Sequence, residues 1–126
     1  METMNPTSPL AVVQAQLDAY NAKDLDALMR TYAADAQQFA LHGALLAEGH
    51  EQIRLRYRER FLEPDLHARL LSRSVLGDFV TDLEIVTRNF PEGRGTVEML
   101  CVYEVVGGRI VRASFATGEK RREAAR

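Results

Sequence analysis

The sequence predicts an α+β domain in which three N-terminal helices fold onto a curved, mostly antiparallel sheet around a mainly apolar pocket. Three observations carry that prediction. Up to Pro64 the apolar residues recur at helical spacing, and from Leu66 onward they alternate with period two. Between the last two alternating runs stands Gly107-Gly108, a two-residue hairpin signal. Helices gathered first and strands gathered last, with short connections, give a segregated α+β fold rather than a doubly wound parallel one. At 126 residues the chain has room for one core and no second domain. The expected boundaries are a flexible leader over 1–7, the domain over 8–118, and a charged tail over 119–126 that frays for want of apolar partners.

Ser8-Pro9 starts the first helix, since Ser8 can cap it and Pro9 suits the first helical position. Val13, Leu17 and Tyr20, with Leu10 and Val12, give it a half-buried stripe to about Asn21. Asp24 can cap a second helix carrying Leu25, Leu28, Met29 and Tyr32, which is expected to end near Ala33-Ala34-Asp35. A short strand over 37–41 follows, with His42-Gly43 as a turn. Gly49 breaks the chain before a third helix with Ile53, Tyr57 and Phe61, which Pro64 stops. Arg54, Arg56, Arg58 and Arg60 spread around that helix and read as a solvated face in preference to an anion site. The strands are expected at about 67–76, 79–89, 96–106 and 109–117.

Hydrophobic residues make up 46% and charged residues 27%, close to the globular average, and a net charge of -2 supplies no broad positive field for nucleic acid. Cys101 stands alone in an apolar run, so it reads as a buried small hydrophobe in a reducing compartment. No run approaches the about 20 apolar residues of a membrane span, and the start lacks the basic and apolar regions of a signal peptide, so the expectation is a cytoplasmic protein without a membrane partner.

The Gly107-Gly108 turn sets a register in which Val106 faces Arg109. Counting back places Val102 opposite Ala113, Leu100 opposite Phe115 and Glu98 opposite Thr117. Pairing Asn89 with Thr96 adds Leu83, Ile85 and Thr87 to the same face, which becomes the expected pocket lining. The opposite stripe, Val97, Met99, Cys101, Tyr103 and Val105, is apolar too. Because the helices can cover one face only, that second stripe is expected to meet a second copy of the chain, a homodimer rimmed by Asp82, Glu84, Arg88 and Arg112.

Four segments in this order and spacing, Asp24-Leu25-Asp26-Ala27-Leu28, Tyr32-Ala33-Ala34-Asp35-Ala36, Gly49-His50-Glu51-Gln52-Ile53 and Gly107-Gly108-Arg109-Ile110, carry a family likeness. The chain resembles the nuclear transport factor 2-like superfamily, especially its SnoaL-like and ketosteroid-isomerase-like branch, over roughly residues 8 to 117. The resemblance implies a cone-shaped barrel, a pocket between helices and concave sheet, and dimerisation through the sheet. In the ketosteroid isomerases an Asp moves the proton while a Tyr and a protonated Asp hold the oxyanion. Matching residue by residue puts Ala40 at the base, Gln16 at the Tyr and Leu100 at the second Asp. Ala cannot take a proton and Leu cannot donate a hydrogen bond, so isomerisation by that mechanism is not expected.

Glu98 is then the carboxylate on the expected pocket face, either a general base or ligand anchor, or a carboxylate satisfied by Thr87 and Thr117 or solvated at the cone's mouth. Tyr20 and Gln16, one turn apart, can both reach the cavity as donors, though Tyr20 reads equally as core. His42 can shuttle protons at the mouth, or be a plain surface turn. The ligand contacts expected besides Gln16 are Leu83, Ile85, Leu100 and Val102, with Ala113, Phe115 and Thr117 from the last strand. His42, His50 and His67 have no metal-ligand spacing, and no phosphate loop, dinucleotide fingerprint or nucleophile elbow occurs, so neither metal nor cofactor is implied. Two functions fit: binding of a small apolar molecule, with at most cofactor-free acid–base chemistry of an isomerase, cyclase or hydrolase type, or a non-catalytic ligand-binding or dimerisation module.

Overall fold

The structure is a computed structural model and describes residues 5–123. Helix α1 spans Pro9–Ala22, its first turn closed by Ser8, whose hydroxyl accepts from the Ala11 amide at 3.2 Å. It ends at Lys23, whose left-handed backbone (φ 54°) turns its amide back to the carbonyls of Ala19 and Tyr20. Asp24 caps α2, Leu25–Arg30, by accepting from the Ala27 amide at 3.1 Å. This helix is one turn shorter than its apolar pattern suggests. Tyr32 instead opens strand β1, Tyr32–Ala40, because its backbone lies parallel to Ile110 in the sheet. After a turn at Gly43, strand β2 is Leu45–Glu48 and helix α3 is Gly49–Arg60.

The remaining strands are β3 (His67–Leu76), β4 (Phe79–Phe90), β5 (Gly93–Val106) and β6 (Arg109–Arg122). All six form one open sheet in the order β2-β1-β6-β5-β4-β3, antiparallel except where β1 lies parallel to β6. The helices cover one face. Val13, Leu28, Ile53 and Tyr32 are fully buried there against Val80, Val86, Ile110 and Ala113. Burying each such side chain contributes about 1.5–3 kcal/mol relative to exposure, which holds the helices over the concave side.

Both ends depart from expectation. The residues of the expected leader over 1–4 lie outside the described residues, but Asn5 accepts from the Thr7 amide and Ser8 donates back to Asn5, so 5–7 form a turn against Gly108. The residues of the expected tail over 119–122 continue β6, pairing Arg122 with Gly95 and Lys120 with Val97, and Lys120 packs on the Phe90 ring at 4.0 Å. Charged side chains on an alternating strand need only a backbone partner, and β5 supplies it. Residues 124–126 of that tail lie outside the described residues.

The hairpin at Gly107 (φ 61°) and Gly108 (φ 80°) has the expected pairing of Val106 with Arg109. Two residues later the count changes. Val105 faces Ile110 but Glu104 faces Arg112, so Val111 is an extra residue, a β-bulge. From there Tyr103 opposes Ala113 and Cys101 opposes Phe115. One inserted residue exchanges the two faces of a strand. The β4–β5 hairpin is also tighter than expected, with Phe90 facing Gly93 and Ile85 facing Glu98. That register differs by two, which leaves the faces unchanged.

The face assignment of β4 and β5 is therefore corrected. Val97, Met99, Cys101, Tyr103 and Val105 look toward the helices, with Asp82, Glu84 and Arg88 beside them, and none is on the outer face. The outer face holds Leu83, Ile85, Leu100 and Val102. No helix is long and apolar enough to cross a membrane among the described residues.

Candidate functional site

Between the helices and the concave sheet lies a cavity of about 600 Å³, within the usual size range of small-molecule sites. Its apolar wall comes from Leu17 on α1, Val86 on β4, Val97 and Met99 on β5, and Phe115 on β6. It meets solvent at His42, Thr117 and Lys120, which are exposed.

Among its lining residues Glu84 is the one carboxylate. It sits mid-strand on β4, 5% exposed, placed there by the alternation that buries Val80, Asp82 and Val86 on the same side. Burial pushes its carboxyl up to about 7, and the neighbouring Asp82 carboxylate pushes the same way, while a hydrogen bond from Cys101 and the charge of Arg73 oppose. The Cys101 thiol donates to Glu84 Oε1 at 3.8 Å, and burial keeps that thiol protonated. Asp82, fully buried, is held by Arg73 through two contacts at 2.7 and 2.9 Å, and Arg73 also donates to Gln14. The Asp82 side chain so held lies one pleat from Glu84 on the same side of β4.

Neutral donors share the cavity. Tyr20 is 8% exposed, with its ring edge-on to Tyr57 and Phe61, and burial pushes its hydroxyl up to about 12 against the opposing charge of Arg60. It is both core and lining. Gln16 lines the wall and accepts from the Tyr103 hydroxyl at 3.4 Å. Buried Gln38 donates to the hydroxyls of Tyr32 (3.2 Å) and Tyr57 (3.1 Å), which leaves the Tyr57 proton able to point into the cavity. Arg56 and Arg60 also line it, in place of the solvated face expected of them, while Arg54 pairs with Asp26 on the surface.

Of the residues singled out by sequence, Gln16, Tyr20, His42, Phe115 and Thr117 come together here. Ala113 is on the same face but sealed in the core. Glu98, Leu83, Ile85, Leu100 and Val102 do not come here, because the bulge at Val111 puts them on the other side of the sheet. Glu98 is exposed and accepts from the Glu119 amide at 3.1 Å, satisfying a second β6 bulge opposite it. Ala40 and Gln16 do face the cavity, and beside the displaced Leu100 the concave positions are Met99 and Cys101, neither of them a carboxyl. Glu84 was within reach of the sequence: Asp82-Leu83-Glu84 sets two carboxylates on one side of an apolar strand, a costly pattern unless paired or used.

The model of the SnoaL-like domain matches residues 13–113, across helices, cavity and sheet. The chain belongs to the SnoaL-like family. Among solved structures this SnoaL-like chain is similar to an uncharacterised cystatin-fold protein from Novosphingobium aromaticivorans, at 28% identity and TM-score 0.80 over 86% of this chain and 97% of that one. A ketosteroid isomerase-like fold protein from Catenulispora acidiphila, in complex with trimethylamine, matches at 21% identity and TM-score 0.72, covering 83% of each chain. IdmH, a candidate polyketide cyclase from Streptomyces antibioticus, matches at 19% and TM-score 0.73 over 86% and 91%. The last two share the fold, the open cone of the nuclear transport factor 2-like superfamily. No curated protein matches the chain.

Proposed function

We propose that this protein binds a small, largely apolar molecule in the helix-covered cavity and moves a proton on it, with Glu84 as the acid–base group. The observation that carries the reading is the placement of Glu84: a carboxylate buried in the cavity wall and brought to about 7. A general base works best when its pKa lies near the working pH, and an exposed carboxylate near 4 would be a much weaker one. The ionised Glu84 takes a proton from carbon next to a carbonyl. The developing oxyanion receives hydrogen bonds from donors such as Tyr57 or Tyr20, the latter held protonated by burial. Returning the proton at a second position completes an isomerisation; attack of the enolate on a second carbonyl gives an alkoxide, and passing the Glu84 proton to it completes a cyclisation. Neither outcome needs a bound cofactor. Polyketide cyclisation, the activity suggested for IdmH, falls in this class.

The test is deuterium exchange at acidic C–H positions. A panel of cyclic ketones and 1,3-dicarbonyl compounds in D2O, followed by proton NMR, is expected to show catalysed exchange that Glu84→Gln slows by about 10² or more. Exchange by wild type no faster than by Glu84→Gln across the panel would sink the reading.

A homodimer is part of this proposal, through the outer sheet face instead of the stripe first expected to form it. Leu83 is 38% and Leu71 43% exposed beside Ile85, Leu100 and Val102, an apolar strip that no helix covers.

A further inference from the structure

The cavity wall carries more positive charge than its surroundings neutralise. Four of its lining residues are cations, Arg56, Arg60, Arg88 and Lys120, against the single carboxylate Glu84. Lys120 is answered by Glu92. Glu63 is shared: Arg88 grips it through two contacts at 2.8 Å, and Arg60 lies 3.6 Å from it. Arg56 is answered by no carboxylate among the described residues. Its Nη1 donates to the neutral Oε1 of Gln38, and it makes no other hydrogen bond among them. The geometry explains why that contact exists. Gln38 is fully buried, and its amide nitrogen is committed to two tyrosine hydroxyls, so its oxygen is the group left to accept. The guanidinium is thereby aimed and half-buried, with no anion of the described residues beside it and only the Tyr57 ring face at 6.0 Å, one helical turn from Arg60 on α3. A planar fork of that kind matches a carboxylate through two parallel hydrogen bonds, and desolvation in a cavity strengthens the match.

We propose that Arg56, supported by Arg60, is the receptor for a carboxylate on the ligand, and that the ligand is a small apolar molecule bearing one such acid group. This deepens the function proposed above and rests on the same cavity. The apolar walls at Leu17, Val86, Val97 and Met99 receive the body, and the Arg56 end orients it relative to Glu84.

Competition against a neutral fluorophore, N-phenyl-1-naphthylamine, tests it with three ligands of one chain length: decanoate, 1-decanol and decyltrimethylammonium. At about pH 6, where Glu84 is mainly protonated, wild type is expected to bind decanoate at least about tenfold more tightly than decanol, with the ammonium weakest. Arg56→Gln is expected to cut the decanoate advantage to about twofold or less and leave decanol unchanged, while Arg56→Lys, which keeps the charge but loses the fork, retains only part of it. Equal binding of all three chains to wild type overturns the inference. So does a decanoate preference that survives in the Arg56→Gln/Arg60→Gln double variant, or decyl phosphate binding more tightly than decanoate. Glu84→Gln keeps the decanoate preference at this pH. Deuterium exchange that fails while the preference persists therefore removes the base and leaves the carboxylate receptor standing.

Discussion

Replacing Glu84 with Gln should make the protein more stable above neutral pH and leave its stability in mild acid nearly unchanged. The size follows from the site. The Glu84 carboxyl rises from an ordinary 4.5 to about 7, chiefly through burial. Each pKa unit is worth about 1.4 kcal/mol, so ionising Glu84 in the folded state costs about 3 kcal/mol. The sign is that of a raised carboxyl: the folded chain holds this proton more firmly than the unfolded one. Its contribution is full below about 4.5, falls as pH rises, and is lost above about 7. Gln keeps the shape and the Cys101 contact without titrating. Urea denaturation of both proteins at about pH 4.5 and pH 8 gives the differential directly. Glu84→Gln should gain about 3 kcal/mol on wild type between the two, a rise in melting temperature on the order of 10 °C at the alkaline end. Parallel stability curves for the two proteins would refute the argument that Glu84 is held in a protonated, desolvated setting.

Three further outcomes follow from other contacts. Asp82→Asn strips the partner from Arg73, whose side chain is 11% exposed, and should cost about 3 kcal/mol in urea denaturation; in the same variant the Glu84 midpoint should fall, since one cause of its elevation is gone. Gly95→Ala places a methyl against the Arg121 carbonyl oxygen on the neighbouring strand, so amide hydrogen exchange at 119–122 should accelerate while exchange in the helices stays slow. Leu83→Lys on the exposed outer strip should convert a dimer to a monomer in sedimentation without altering ligand competition in the cavity, which lies on the other side of the sheet.

The helices and the positions of the long strands along the chain were legible because their signals are local. Ser8-Pro9, Asp24 and Gly107-Gly108 act within a few residues of where they stand, and each performs the expected role. The site was harder to read, because it depends on which side of the sheet each residue faces. That parity is carried by a bulge at Val111, an ordinary strand residue with nothing local to mark it as extra. The count placed β6 correctly, so Phe115 and Thr117 reached the cavity, and inverted β4 and β5, so Glu98 was exchanged for Glu84. Burial offers a further check. Val97, Cys101 and Tyr103 form the more apolar stripe of β5, and such a stripe belongs under helices before it belongs at a subunit contact. Arg56 reads from sequence as solvated in preference to an anion site for a different reason: its aim is set by Gln38, eighteen positions earlier and on another element.

The most direct test of the central claim is the titration of the Glu84 carboxyl carbon by NMR, in protein labelled with 13C-glutamate and assigned by comparison with Glu84→Gln. A midpoint near 7, moving upward when decanoate occupies the cavity, is the predicted result. A midpoint near 4.5 that ignores decanoate would contradict it.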